Sequence, residues 1–284
     1  MKKFMSLLLA AGMAASMAAC GVAADTASSA SSAEAASPAA SAESTADTAA
    51  GGDLAYIQGK GKMVIGYTVY EPMNYTDADG KFTGFDTELA KAVCQQLGVE
   101  PEFVEINWDT KEVELSSKSI DCIWNGLTIT DERKANMAMT DPYVQNAQVV
   151  VMKKDAEYKD TSSLVGKTVV AETGSAGEET IQGDANLSQA DYVAKSVQTD
   201  CLLEVKAGTA DAAVLDLTLA NAMIGDGTDY ADLAIKDRLS VEEYGVGFRK
   251  GSDACDAVNA AFKALAADGT MKKLADQYGL DLVQ

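Results

Sequence analysis

The 284-residue chain contains no histidine. Histidine is the commonest general base near neutral pH and a standard nitrogen ligand for zinc. Its absence excludes Ser-His-Asp and Cys-His nucleophilic machinery together with the ordinary zinc sites. Enzymes that work through carboxylates, lysine or tyrosine alone stay open. Positive charge is also scarce, with 23 Lys and Arg against 43 Asp and Glu and a formal net charge of -20. Nucleic acids and anionic lipid surfaces are held through basic patches, so neither is expected as a partner. No CxxC pair occurs among Cys94, Cys122, Cys201 and Cys255. Without histidine, a zinc site would need all four thiolates to converge, so small apolar core residues or a single disulfide are the expected roles. No metal or cofactor is expected.

What is present begins with Lys2 and Lys3, followed by an apolar run from Phe4 to about Ala19 that is too short and too alanine-rich for a membrane span. It reads as a secretory signal peptide over residues 1–19. The run ends in "MAAC", small residues before Cys20 and Gly21 after it, which resembles the bacterial lipobox. That resemblance implies that Cys20 is lipidated, becomes the new N-terminus and anchors the chain to the cell membrane outside the cytoplasm. From Gly21 to Gly52 the chain is Ala, Ser and Thr with scattered acids and no recurring apolar face, the pattern of a disordered tether.

From about Asp53 short apolar strands alternate with helical patterns, and an apolar content of 47% is ample for a core. "KMVIGYT" reads as a strand. "GFDTELAKAVCQQLG" reads as a helix with Phe85, Leu89, Val93 and Leu97 on one stripe and Gly98 as its stop. "PEFVEI", "DCIWNGL" and "AQVVVMK" are further strands. A second block repeats the theme in "GKTVVAE", "ADYVAK" and "DAAVLD", with helices between them. Two terminal helices follow, Asp253 to Ala267 and "TMKKLADQYG", the latter expected to be capped by Thr270. Two α/β blocks with a returning C-terminal tail predict two lobes with a ligand between them.

"GYTVYEPMNYTDADGKFTGFDTELAKAV", "DCIWNGLTITDERKANMAMTDPY", "GKTVVAETGSAGEE", "ADAAVLD" and "EEYGVGFRKGSD" stand in the order and spacing of the bacterial extracellular solute-binding proteins of family 3. From about Lys60 onward the chain resembles these amino-acid receptors of ABC importers, such as the glutamine- and lysine/arginine/ornithine-binding proteins. The resemblance implies an α/β periplasmic-binding-protein type II fold. Lobe one would comprise residues 53–145 and 244–284, and lobe two residues 146–243. "DPYVQNAQ" and "VEEYGVG" would form the hinge. It further implies a monomer that captures a free polar amino acid and hands it to a membrane permease.

Residue by residue, the resemblance makes Arg133 the clamp for the ligand carboxylate, a role its rigid fork of N–H donors suits. Thr128, Gly126, Ser175 and the backbone N–H of Ala176 complete that socket, the last two at an expected helix start. Asp216, ending "DAAVLD", takes the ammonium, with the backbone carbonyl of Asn125 beside it, while Asp211 reads as an outward or capping acid. Tyr70 and Trp108 wall the ligand side chain. Trp124 reads as core or pocket floor, and Asp86 as a carboxylate serving the N-terminus of its own helix. Two departures bear on specificity. Thr68 falls where many relatives carry an Asp, and Glu172 stands where relatives use Gln or Lys, facing the pocket or turned outward. The ligand is therefore a polar amino acid of unspecified side chain. Relatives also include a cyclohexadienyl dehydratase, so a same-fold enzyme is one alternative, and a surface lipoprotein without transport function is another.

Overall fold

The computed structural model describes residues 51–283. The expected signal peptide, the lipidated Cys20 and nearly all of the tether lie outside the described residues.

The first half of the chain forms α1 (Asp53–Gly59), β1 (Lys62–Tyr67), a small hairpin of β2 (Tyr75–Thr76) and β3 (Phe82–Thr83), α2 (Phe85–Leu97), β4 (Glu100–Glu105), α3 (Lys111–Ser116), β5 (Cys122–Thr128), α4 (Asp131–Asn136) and β6 (Met137–Met139). The ten-residue β7 (Val144–Lys153) then leads to β8 (Thr168–Glu172), α5 (Ala176–Gly183), β9 (Asp191–Lys195), α6 (Gln198–Ala207), β10 (Ala212–Asp216) and α7 (Leu217–Met223). The 17-residue β11 (Leu233–Arg249) returns to the first half, which α8 (Ala254–Ala267) and α9 (Thr270–Tyr278) complete.

Apart from the β2–β3 hairpin, which is a sheet of its own, the strands form one nine-stranded sheet in the order β4-β1-β5-β11-β7-β10-β8-β9, with β6 paired on β11. Each end is a set of three parallel strands, β4-β1-β5 and β10-β8-β9. Between them lie β11 and β7, antiparallel to each other from Leu233–Lys153 to Tyr244–Val144. At Tyr244 strand β11 exchanges partners: this residue is opposite both Val144 on β7 and Thr128 on β5. The two halves are thus joined through β7 and β11.

Side-chain alternation along the strands sends apolar residues to both faces. On one face a continuous core runs through both halves, from Phe85, Leu89 and Val258 to Leu202, Val205 and Leu219. On the other face the core is broken into two clusters, one around Ile120, Ile123 and Leu127, the other around Val150, Ala212 and Val214. The break is filled with polar groups: Asn146 and Gln148 continue the row of Val150 and Met152 on β7, and Asp216 continues the row of Ala212 and Val214 on β10.

Helix α2 buries Phe85, Leu89 and Val93, leaves Leu97 half-buried, and ends on left-handed Gly98. Helix α9 departs from expectation at its start. Its N-cap is Gly269 in the left-handed region, and Thr270 is the first helical residue with its N–H donating to Asp268 Oδ1. The chain reverses within a single residue after α8, a turn that glycine makes without strain and that leaves no place for a side-chain cap. The length of β11 is also unforeseen. Its ladder to β7 shifts at Ile235/Asp237 and at Arg238/Ser240, so "LAIKDRLSVEE" shows no clean alternation. Cys94, Cys122, Cys201 and Cys255 are buried free thiols.

Helix α1 is pinned by charge. Arg249 donates to Asp53 through Nε and Nη2, to Asp121 Oδ1 at 3.2 Å and to the Ile120 carbonyl at 2.7 Å. Removing the cation leaves Asp121, itself wholly buried, with the Val64 N–H as a donor and Lys60 as its one remaining cation among the described residues. Arg249→Ala is expected to destabilise the fold by about 3 kcal/mol in urea denaturation, the scale for breaking one side of a buried ion pair. A loss under about 1 kcal/mol would show the cluster to be solvated like a surface pair.

Candidate functional site

The broken face holds a small, nearly filled cavity. Its lining comes from both halves: Trp108, Asn125, Gly126, Thr128 and Arg133 on one side, and Glu172, Ser175, Ala176, Gln198 and Asp216 on the other. Nine of the ten ligand-contact residues expected from the sequence therefore converge on one small space. Wider depressions exist elsewhere, such as the one between Leu115, Met137 and Lys250, but this cavity is where buried charges from separate elements meet.

Local structure aims each group. Thr130 caps α4 by accepting the Arg133 N–H, which turns the Arg133 side chain inward until it is 3% exposed. Its Nη1 donates to the Thr128 carbonyl at 2.8 Å, and its Nη2 donates to the Gly174 carbonyl at 3.3 Å and to Glu179 Oε1 at 2.8 Å. Nε and the second Nη1 hydrogen have no partner among the described residues. Lys111, also buried, donates to the Trp108 and Gly174 carbonyls and lies 5.0 Å from the centre of the Trp108 ring. Two cations of the first half thus reach one carbonyl of the second, so the cleft is closed.

Strand β5 bulges at the cavity. Three of its residues, Trp124–Gly126, stand opposite the single Val246. Gly126 has φ +57°, and a Cβ there would meet the Tyr70 ring at 2.7 Å, so both backbone and packing require glycine. Its N–H donates to Asp86 Oδ2 at 2.7 Å, and the Tyr143 hydroxyl donates to Asp86 Oδ1. Asp86 therefore braces the bulge instead of capping its own helix, because the chain at Gly84 turns the carboxylate inward. Asn125 spends its side chain on Thr68 and Asn74. Thr68 spends its N–H and hydroxyl on Asn125 and does not line the cavity. Tyr70 does not line it either. Its hydroxyl lies 2.6 Å from that of Tyr244 and its ring backs Gly126.

Across the cavity, Ser175 caps α5 by accepting the Glu178 N–H, which leaves its own hydroxyl hydrogen free to point into the site. Asp216 precedes α7, but the N–H of Thr218 donates to Asn146 Oδ1 in place of Asp216. Released from capping, Asp216 is held by amides: Asn146 Nδ2 at 2.7 Å, Gln148 Nε2 at 2.6 Å, and Gln198 Nε2. Asp211 stays outward and accepts the Thr168 N–H. Gln198 lines the cavity, and Asn146, Gln148, Lys111 and Glu242 bond to groups around it, although sequence reading did not single them out. Glu242 lay within the quoted "EEYGVGFRKGSD" motif, whereas nothing in the order of residues marks a carboxamide at the start of α6.

The site is poor in cations near its acids. Burial pushes the Glu172 carboxyl up to about 8, the charge of Asp216 adds to this, and Lys111 opposes it. Glu172 Oε1 is buried with no hydrogen-bond partner among the described residues. Burial also raises Asp216, against the pull of the Gln198 and Gln148 amides. Burial lifts Asp86 to about 7, and burial with the Asp216 charge lifts Glu242 to about 7. Burial and the Arg133 charge bring Lys111 down to about 8.

Two α/β halves joined by two crossing strands, with a charged cavity enclosed between them, define a two-lobed solute receptor of the periplasmic-binding-protein type II fold. Residues 63–281 match the model of the bacterial extracellular solute-binding proteins, family 3, and the chain belongs to that family. It is 31% identical over 221 residues to the arginine-binding extracellular protein ArtP of Bacillus subtilis (strain 168), covering 76% of this chain and 85% of that one. It is 31% identical over 239 residues to the L-cystine-binding protein TcyJ of Escherichia coli (strain K12), covering 82% and 88%. Among solved structures, the P235GK mutant of ArgBP from T. maritima superposes with a TM-score of 0.74 at 34% identity, over 80% of this chain and 98% of that one.

The raised acids set a sign for stability. The folded protein keeps protons on Asp86, Glu172 and Glu242 up to about 7 or 8, whereas the unfolded chain sheds them near about 4. The folded state binds more protons between these limits, so stability falls as pH rises through them. The ligand-free protein is expected to melt at a higher temperature at about pH 5.5 than at about pH 8. Glu172→Gln should flatten the upper part of that slope. Lys111 acts only above about 8, with the opposite sign. A melting temperature independent of pH would remove this account of the site's charge.

Proposed function

We propose that this protein captures a free amino acid with a cationic side chain between its closing lobes and delivers it to the permease of an ABC importer. The observation that carries the cationic preference is Glu172: a buried carboxylate in the cavity, with one oxygen unpartnered and Asp216 as its neighbour. Burial keeps this group neutral until a positive partner arrives to stabilise its ionised form, and none of this chain's cations bonds to it among the described residues. An amino acid such as arginine, lysine or ornithine brings two positive groups, one for Asp216 and the Asn125 carbonyl, one for Glu172. Its carboxylate is suited to Arg133, Thr128, the Ser175 hydroxyl and the Ala176 N–H at the start of α5. Trp108 covers the aliphatic stem, and Tyr70 acts through Gly126 as the wall behind it. The relatives' names, one for arginine and one for cystine, support amino-acid capture and leave the side chain to be read from Glu172.

In this reading a zwitterion favours the closed state because only there can it reach the free Nε–H and Nη1–H of Arg133 and the carboxylate of Asp216 together, a shift in population toward closure. The chain works as a monomer, held outside the cytoplasm by lipidated Cys20 and its tether. The acidic surface keeps the receptor off anionic lipid.

A second reading, an enzyme of the dehydratase type, draws on one feature. Glu172 keeps its proton at neutral pH, as a general acid must. Product formation from prephenate or arogenate would favour it, and no turnover is expected.

Ligand-stripped protein is expected to gain melting temperature with arginine, lysine or ornithine and far less with glutamine. Arg133→Ala and Asp216→Ala should each weaken binding by about 3 kcal/mol or more, on the order of a hundredfold, in calorimetry. Glu172→Gln should weaken arginine at least about tenfold while sparing glutamine, since an amide does not compensate a buried cation. Wild-type affinity in Arg133→Ala would sink the assignment of the carboxylate socket.

A further inference from the structure

Two carboxylates meet where β7 and β11 cross between the halves. Asn146 Nδ2 donates to Asp216 Oδ1 and to Glu242 Oε1, each at 2.7 Å, so the two oxygens lie within 5.4 Å of one another. Gln148 Nε2 repeats the bridge at 2.6 and 2.9 Å. Glu242 Oε1 takes a third hydrogen bond from the Thr128 hydroxyl at 2.9 Å. The groups facing the pair are known from each neighbouring element: Asn146 and Gln148 from β7, Gln198 from α6, Thr128 from β5, the phenols Tyr70 and Tyr244, and the third acid Glu172 from β8. None of these is a cation. Arg133 and Lys111 are committed to the Thr128, Trp108 and Gly174 carbonyls and to Glu179.

Two anions this close, out of water and without a cation, repel each other, and such pairs ordinarily titrate as one unit that retains a proton. We propose that Asp216 and Glu242 act as a single acid that holds one shared proton before ligand arrives and releases it when a ligand ammonium docks on Asp216. The proposal rests on the reading that Asp216 takes the ammonium. The exchange balances: the ammonium arrives with one positive charge, the pair goes from one negative charge to two, and one proton leaves for solvent. The shift of Glu242 to about 7, caused by burial and then by Asp216, places this exchange in the physiological range. Glu242 does not line the cavity, so it is a positioning residue that works through Asp216 and Thr128. It sits two residues before Tyr244, where β11 changes partner, so the proton leaves from the segment on which the lobes turn. While Glu242 accepts from Thr128, that hydroxyl has no hydrogen to give a ligand carboxylate, and only the Thr128 backbone and oxygen lone pairs face the socket.

The test is calorimetry of L-arginine binding to the full-length chain, in buffers of different ionisation enthalpy at about pH 6, 7 and 8. Glu172 also changes ionisation with a cationic ligand, so the readout is the difference in protons released between wild type and Glu242→Gln. That difference should approach about one proton per arginine at about pH 6 and close to zero by about pH 8. Below about pH 7 the wild-type Kd should weaken more steeply with acidity than that of the variant, by up to about tenfold per pH unit. Glu242→Asp, which keeps the acid, should retain the release. Equal proton counts in wild type and Glu242→Gln at about pH 6, with binding intact, overturn the proposal and leave the amino-acid reading standing. If Glu242→Gln does not fold, the count is taken in Glu172→Gln, where about one proton released per arginine at about pH 6 supports the proposal and a count of zero overturns it. No heat from arginine or any other amino acid, or unweakened binding in Asp216→Ala, overturns the reading itself and the proposal with it.

Discussion

Everything at the cleft depends on the antiparallel ladder between β7 and β11. These strands run through the middle of the sheet and are the two connections between the halves, paired to each other along the whole crossing, while the end of β11 from Tyr244 onward pairs with β5 and β6 of the first half. The ladder keeps one face of the sheet continuously apolar, while on the other face Asn146, Gln148 and Glu242 bring polar groups into the gap between the two cores. A two-lobed receptor needs this combination: lobes that cannot separate, and a seam wet enough on one side to admit a ligand.

The seam is then organised by charge. Positive groups come from the first lobe and negative groups mainly from the second, and the carbonyl of Gly174 accepts from both Lys111 and Arg133 across it. Asp216 is relieved of capping duty by Asn146 and handed to three side-chain amides. Amides orient a carboxylate without neutralising it, which preserves its demand for an external cation. Glu172 and Glu242 sharpen that demand, and the protein bears the cost as protons retained near neutrality.

Much of the site was legible because its chemistry is carried by residue types with few alternatives. Arg133 in "DERK" and Asp216 at the end of "DAAVLD" stand out once the surrounding motifs are in register, and Gly126 is where a non-glycine residue would strike the Tyr70 ring. Gln198 and Lys111 were invisible because a carboxamide or lysine at a helix start is ordinary in sequence and becomes notable only when another strand's carboxylate or another lobe's carbonyl is placed beside it. Tyr70 shows the reverse. Its position is read correctly as near the cavity, but the bulge at Gly126 puts backbone between its ring and the open space. Thr270 and Asp86 look like caps by type and position, yet a left-handed glycine and an inward turn at Gly84 gave those carboxyl and hydroxyl groups other surroundings.

The sequence by itself determined the alternation of strands and helices, the family, and which side chains are chemically fit to hold a zwitterion, because these follow from residue type, periodicity and order along the chain. Only the tertiary structure decided that β11 is one long strand, that Asn146 and Gln148 bridge Asp216 to Glu242, and that Glu172 ends up buried with one oxygen unpartnered among the described residues. Those facts depend on register and on burial between segments roughly seventy to a hundred residues apart, and electrostatic environment is a property of that proximity, which no local pattern encodes.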